Sequence, residues 1–278
     1  MAILLGVDTG GTYTDAVLVD DVSDRVIGSS KSLTTRPDLA RGIAGAVDGV
    51  LVETGIAPSD VAMVSLSTTL ATNALVEGQG GRVALVFIGF DRGELARDGL
   101  EEALAGDPVI MLAGGHGHSG EQVAPLDTGA LERGLAALGP EITGIAVAAQ
   151  FATRNPAHEQ AARAVIRERT GLPVTCSHEL ASALGGPKRA LTAVLNARLI
   201  GLIDGLIVAC RAEMDARGIG AELMVVRGDG ALVSADLARE RPIETILSGP
   251  ASSIAGASWL TGETDALVSD IGGTTTDI

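Results

Sequence analysis

Two octapeptides hold the residues whose types and spacing most openly suggest chemistry. Asp8-Thr9-Gly10-Gly11-Thr12-Tyr13-Thr14-Asp15 and Asp270-Ile271-Gly272-Gly273-Thr274-Thr275-Thr276-Asp277 both read D-x-G-G-T-x-T-D. Six of the eight positions are identical, and the first carboxylates lie 262 residues apart. A short apolar run precedes each copy, Ile3–Val7 and Ala266–Ser269, and predicts a strand. A strand delivers a carboxylate to its end, where it can reach Mg2+ through water. Paired glycines let backbone N–H groups approach phosphate oxygens closely, because no Cβ intervenes. Threonine hydroxyls add donors without adding charge that would repel an anion. Two such hairpins facing across a cleft would hold a polyphosphate from both sides. A single copy reads equally well as a tight turn; two copies at strand ends argue for a duplication.

Asp8 and Asp270 are therefore the candidate catalytic carboxylates and Mg2+ ligands. Phosphate contacts are expected from Thr9, Gly10, Gly11, Thr12 and Thr14 in the first copy, and from Gly272, Gly273, Thr274 and Thr275 in the second. Asp15 and Asp277 are expected to stabilise their hairpins. Thr68, Thr69 and Asn73 stand at a strand-to-helix junction, where a helix N-terminus can bind an anion. Ordinary capping is the competing reading. Ser248 and Gly249 form a turn ahead of a helix and can approach the phosphates or cap that helix.

Other groups read more plainly as structure. His116 and His118 lack a nearby third ligand, so a solvated loop is expected over a metal site. Cys176 and His178 share one side of a predicted strand, and an inert buried thiol is expected over a nucleophile. Arg227-Gly228-Asp229 spells an adhesion tripeptide by coincidence. No G-x-x-x-x-G-K-[ST] occurs, and no G-x-G-x-x-G opens a helix directly after a strand. These absences count against a P-loop and a dinucleotide fold.

The elements that must position these residues follow from periodicity. Strands are predicted at 3–8, 16–19, 26–33, 61–67, 82–88, 142–148, 173–177, 223–226 and 265–270. Helices are predicted at 38–53, 70–77, 128–138, 156–170, 188–217 and 254–260, with Asn155 capping the fourth and Pro156 in its first turn. Glu101–Leu104 has helical character, and Gly114–Gly120 reads as a loop. Three strands precede any helix, and strands then alternate with helices. That order gives an α/β protein with mixed sheets.

Composition narrows the function classes. The 278 residues carry 20 basic and 35 acidic side chains, a net charge of −15, which disfavours nucleic acid and anionic membrane as partners. The five aromatics, Tyr13, Phe87, Phe90, Phe151 and Trp259, are too few for a base-stacking surface. Two cysteines without C-x-x-C spacing exclude a disulfide scaffold and a four-cysteine metal site within the chain. The N-terminus lacks a basic segment ahead of its short apolar run, and Asp204 interrupts the longest apolar stretch. No signal peptide or transmembrane helix is expected, and a cytoplasmic location follows.

The paired D-x-G-G-T hairpins resemble the phosphate-1 and phosphate-2 loops of the actin-like superfamily, which includes actin, sugar kinases and the Hsp chaperones. A closer resemblance is to the N-terminal half of the hydantoinase A / 5-oxoprolinase (N-methylhydantoinase A-like) family. It extends over the chain through Asp8–Asp15, Ser67–Glu77, Asn155–Glu159, Ser177–Glu179, Val194–Ala197, Leu247–Ala251 and Asp270–Asp277. The resemblance implies an actin-like ATPase, ribonuclease H-like architecture, with mixed sheets flanked by helices and the second lobe truncated. It divides the chain into an N-terminal region, 1–185, with the first phosphate loop, and the start of a second domain, 186–278, ending at the second loop.

The resemblance also implies ATP and Mg2+ as cofactors and a cyclic amide as substrate, such as 5-oxoproline or an N-methylhydantoin, opened after phosphorylation of its carbonyl. A B-type hydantoinase subunit is the implied partner, and the full-length form would be oligomeric. A carboxylase subunit and a sugar-like small-molecule kinase are the alternatives; an ATP-driven activator and a chaperone-like protein rank below them. The stretch Leu180–Gly186 and the turn Arg227–Gly230 depart from the family pattern, which puts 5-oxoproline itself in doubt. The chain ends one residue into the strand expected after the second loop, so a fragment with negligible ATPase activity alone is expected.

Overall fold

The computed structural model describes residues 2–35, 38–78, 80–271 and 276–277. Two compact units emerge. The first joins residues 1–79 to 202–278, and the second is residues 80–201. The boundary expected at residue 185 on sequence grounds divides the chain differently, because the first unit is assembled from both ends.

The first unit opens with a meander, β1 (Ile3–Thr9), β2 (Tyr13–Asp20) and β3 (Arg25–Leu33), followed by α1 (Leu39–Thr54), β4 (Val61–Thr68) and α2 (Leu70–Val76). The second unit runs β5 (Arg82–Ile88), α3 (Leu100–Leu104), β6 (Val109–Leu112), α4 (Thr128–Ala136), β7 (Ile142–Ala149), α5 (Ala157–Thr170), β8 (Val174–Cys176) and α6 (Ser177–Leu180). The long α7 (Gly186–Arg217) belongs to the second unit up to Gly201 and to the first beyond it. The first unit then resumes with β9 (Glu222–Val226), β10 (Leu232–Ser234), α8 (Ala235–Glu240), α9 (Ser248–Thr261), β11 (Asp270–Ile271) and β12 (Thr276–Asp277).

The sheet of the first unit has the order β10-β9-β4-β1-β2-β3. β1 pairs antiparallel with β2 and parallel with β4, and β4 pairs parallel with β9. Three antiparallel strands followed by two parallel ones form the expected ribonuclease H-like arrangement. One face is dry: Ile3, Leu5 and Val7 of β1 line up with Leu18, Ala16, Val64 and Leu66 and are all at most 2% exposed. The same unit buries Ile43, Ala46, Val47 and Val50 of α1. Glycine lets α1 settle onto the sheet. A Cβ on Gly42 would stand 2.9 Å from Thr14 Oγ1 and 3.1 Å from the Leu33 carbonyl oxygen.

The sheet of the second unit is all parallel, in the order β6-β5-β7-β8. Both faces are covered, so its strands read as continuous apolar runs. Ala84, Val86 and Ile88 join the core with Leu131 of α4 and Ile166 of α5. Val83, Leu85 and Phe87 join the other core with Leu100 of α3 and Ala190, Ala193 and Val194 of α7. α7 has the length and apolarity to cross a membrane, yet half of its most apolar window is buried in the protein, as a core helix would be.

Several elements differ from the sequence-based expectation. Ala266–Ser269 forms no ladder; pairing begins only at Asp270. Pro156 rather than Asn155 takes the cap position of α5, while Asn155 Oδ1 accepts from the Ala157 amide at 3.1 Å. The short elements β6, β10, α6 and α8 carry too few residues to show a period.

Gly42→Leu is expected to destabilise the protein by about 1–3 kcal/mol through overpacking against sheet backbone. Gly42→Ala should cost less, since alanine recovers about 1 kcal/mol of helix propensity. Denaturant midpoints for the two variants test the ordering.

Candidate functional site

The first D-x-G-G-T hairpin folds as its alternation dictates. Gly10 N–H donates to the Tyr13 carbonyl at 2.9 Å, closing the turn between β1 and β2, and a Cβ at Gly10 would press within 3.0 Å of that oxygen. Because successive side chains point to opposite faces, the register separates the candidate residues. Asp8 lies opposite Asp15 on β2 and Ser67 on β4. Thr9 lies opposite Thr14 and Thr68, one step along, on the other face.

The carboxylate face carries the site. Asp8 Oδ1 accepts from Ser67 Oγ at 2.6 Å, and its second oxygen has no protein partner among the described residues. Asp15 pairs with Lys31 at 3.1 Å, its register neighbour on β3. Asp8, Asp15, Lys31, Ser67 and Ser252 border a cavity of about 420 Å3. Burial pushes the Asp8 carboxyl above its ordinary value of 3.8, and the charges of Asp15 and Asp270 push the same way. The Ser67 hydrogen bond and Lys31 oppose the rise. Asp270 is exposed at the start of β11 and accepts from Ser253 Oγ at 2.7 Å.

Oxygen donors with an uncompensated charge and a spare lone pair fit a hard divalent cation. Asp8 and Asp270 could hold a divalent cation of that kind. Lys31 already neutralises Asp15, consistent with a hairpin-stabilising role for that residue.

The opposite face is interior. Thr14 is fully buried and its hydroxyl lies 2.9 Å from Thr34 Oγ1, so its side chain packs rather than reaching a phosphate. Thr9 is fully buried with its hydroxyl unpartnered. Thr68 Oγ1 donates to the Thr9 carbonyl at 2.9 Å and accepts from the Leu70 amide at 3.0 Å, a local turn bond one residue ahead of the cap of α2. Thr69 occupies the cap of α2 without a side-chain cap bond, and Asn73 is half-buried within α2. Ser248 is clamped to Thr68: its hydroxyl donates to the Thr68 carbonyl at 2.9 Å and accepts from the Thr68 amide at 3.3 Å. A Cβ on Gly249 would stand 2.7 Å from Thr69 Cγ2, so the start of α9 closes tightly on this junction. Gly11 and Thr12 form the turn itself, and the Thr12 carbonyl accepts from the Thr34 amide. Gly272, Gly273, Thr274 and Thr275 lie outside the described residues.

The second unit contains a buried polar network that sequence reading did not assemble. Glu159, fully buried, accepts four hydrogen bonds: from the Ala149 amide and Ser177 Oγ on Oε1, and from the His178 amide and His178 Nδ1 on Oε2. Arg189, 1% exposed, donates to Ser177 Oγ and to the carbonyls of Ala149, Ala183 and Leu184. One ligand atom each from Glu159, Cys176 and His178 falls within 4.8 Å of the others. Both Glu159 oxygens are nevertheless committed, and burial pushes the Cys176 thiol up to about 12. The cluster is a hydrogen-bond hub, and Cys176 is the inert thiol expected; Cys210 is likewise buried with its thiol pushed up to about 12.

His116 corrects the expectation of a solvated loop. It is 2% exposed and its ring lies 4.3 Å from that of His158, which accepts from the Gly115 amide at 2.9 Å. His118 is exposed. Arg227 and Asp229 pair with each other across the β9–β10 turn. The signal for the hub was divided between Asn155–Glu159 and Ser177–Glu179, which no local pattern connects, and Arg189 reads as an ordinary helix residue.

Comparison with known proteins bears on these positions. Residues 4–170 match the model of the hydantoinase/oxoprolinase N-terminal region, and residues 189–278 match that of hydantoinase/oxoprolinase. The chain is 28% identical over 311 residues to the acetophenone carboxylase gamma subunit of Aromatoleum aromaticum, covering 99% of the chain and 42% of that protein. It is 27% identical over 296 residues to the caprolactamase subunit alpha of Pseudomonas jessenii, again covering 99% and 42%. The crystal structure of ATP-dependent caprolactamase from Pseudomonas jessenii superposes with a TM-score of 0.80 at 26% identity, covering 98% of the chain and 43% of that one. The chain thus spans less than half the length of the relatives it matches.

Asp8→Asn keeps an acceptor for Ser67 but removes the half-buried charge. A carboxyl whose folded pKa is raised stabilises fully below its unfolded value and loses that contribution as pH rises through the folded value. Asp8→Asn should therefore raise the melting temperature at pH 7, with the gain vanishing as pH falls toward 3.8. Glu159→Ala should destabilise the protein by about 3–5 kcal/mol, because it strands buried donors and the Arg189 charge; Glu159→Gln should cost less. Chemical denaturation compares them.

Proposed function

The chain belongs to the hydantoinase/oxoprolinase family, and from that premise we propose that it is the nucleotide-handling part of an ATP-dependent enzyme that opens a lactam or hydantoin-type ring. The observation that carries this reading is the Asp8–Ser67 pair. A strand-end carboxylate two residues ahead of a glycine turn is held at 2.6 Å by a hydroxyl, keeps one oxygen free, and borders a cavity. Such a carboxylate positions a metal–phosphate group rather than attacking it.

An amide carbonyl is a poor electrophile because resonance with nitrogen stabilises it. Transfer of the γ-phosphoryl group to the lactam oxygen breaks the phosphoanhydride bond and releases ADP. Water then adds to the activated carbon and the ring C–N bond breaks. A second water releases phosphate. Catalysis of the first step is mostly positioning and charge stabilisation. Ser67 fixes the rotamer of Asp8, and Asp8 orients the nucleotide through its free oxygen. The backbone at Gly10 and Gly11 approaches the phosphates without steric hindrance. Bound Mg2+ would neutralise phosphate charge.

A second reading, a subunit of an ATP-dependent carboxylase, draws on the acetophenone carboxylase gamma subunit among the relatives. In that reading the γ-phosphoryl group goes to the enolate oxygen of a ketone that has lost an α-proton, and the α-carbon then bonds to carbon dioxide while water takes the phosphoryl group from the oxygen. Both relatives are subunits by name, which supports a B-type partner here.

The test is phosphate release from MgATP by the protein extended to the length of its relatives, alone and with a B-type subunit. Lactams, hydantoins, N-methylhydantoins and sugars form the panel. Stimulation by a cyclic amide with a ring-opened product is expected. Asp8→Ala should lower turnover by about 100-fold or more. A bicarbonate-dependent carboxylated product would move the assignment to the second reading, and a stable phosphorylated sugar would overturn both.

A further inference from the structure

The second unit holds a cavity of about 410 Å3 that the nucleotide reading does not use. Its place follows from topology. From the adjacent strands β5 and β7, the chain continues to β6 on one side and to β8 on the other. In an open parallel sheet, the crevice beyond the carboxyl ends of strands at such a reversal is where ligands bind. The cavity lies there. Gly89, Phe90 and Asp91 follow β5, Gln150 and Phe151 follow β7, and residues 184–187 close the wall at the start of α7.

The wall is held in place. Arg189 ties the carbonyls of Ala183 and Leu184 to that of Ala149 at the end of β7. Phe90 stacks on Phe87 with centroids 4.0 Å apart, and a Cβ on Gly186 would lie 2.4 Å from the Phe90 ring. Two lining residues that are not glycine, Asp98 at φ 57° and Phe151 at φ 52°, occupy the left-handed region. Such strain persists where the surroundings impose it and gathers at ligand sites.

Charge decides the ligand class. Glu94 and Arg97 both line the cavity and cancel one another through two contacts at 3.1 and 2.9 Å. Asp91 and Asp98 have no ion-pair partner among the described residues. The crevice therefore presents two uncompensated carboxylates beside two aromatic rings. We propose that it binds a small organic cation, with an ammonium or amidinium group on Asp91 and Asp98 and a flat apolar body against Phe90 and Phe151. Aromatic faces attract the same charge.

Three isosteric probes test this on the intact chain by titration calorimetry: benzamidine, neutral benzamide and anionic benzoate. Benzamidine is expected to bind, with benzamide about 2- to 30-fold weaker and benzoate not binding. Asp91→Asn with Asp98→Asn, both at the surface, should weaken benzamidine by about 2- to 30-fold without changing the melting temperature. Hydrogen exchange should slow at 89–98 and 184–187 on binding. Equal affinity for benzoate, unchanged affinity in the double variant, or no benzamidine binding at its solubility limit would overturn the proposal. None of these outcomes depends on nucleotide turnover.

Discussion

The candidate site depends on the register in which β1 is held between an antiparallel neighbour and a parallel one. Ile3, Leu5 and Val7 lock that register by burying one face. The same alternation then leaves Asp8 on the other face, level with Asp15 and Ser67. A slip of one residue would send Asp8 into the core and turn Thr9 outward, exchanging the whole set. The hydrophobic pattern of five residues thus fixes the position of a carboxylate, and the glycines behind it only complete the turn.

Two carboxylates, Glu159 buried and Asp8 half-buried, show how environment separates chemistry from architecture. Glu159 has every oxygen satisfied by four donors and anchors the ends of β7 and β8. Asp8 receives one bond, from Ser67, and faces other negative charges. A saturated carboxylate has nothing left to offer a ligand. An under-satisfied one carries a standing electrostatic penalty that a cation would relieve. Glu159 is fully enclosed and Asp8 only half-buried, and the count of donors separates them in the same direction.

Much of this was legible in the residues. The duplicated hairpin pointed to Asp8, and the apolar alternation placed β1 and β4 near their observed bounds. What the sequence hid was the partner set. Ser67 reaches Asp8 across 59 residues, Ser248 reaches Thr68 across 180, and neither distance leaves a local pattern. Thr14 differs from the phosphate contact expected of it because β2 begins at Tyr13 rather than at residue 16, and the alternation of that strand turns Thr14 inward. His116 is hidden for a related reason: its ring neighbour His158 stands 42 residues away, so nothing local marks the loop as packed rather than solvated.

The two cysteines have a use unrelated to catalysis. Cys176 lies in the second unit and Cys210 in the first, and each is buried with a thiol that resists ionisation. A thiolate is the form that reacts with alkylating reagents, so neither sulfur is modified while its surroundings stay folded. Each compact unit therefore carries a single silent reporter. The order in which the two sulfurs become alkylated in rising denaturant reads out which half of the molecule opens first, without any engineered label.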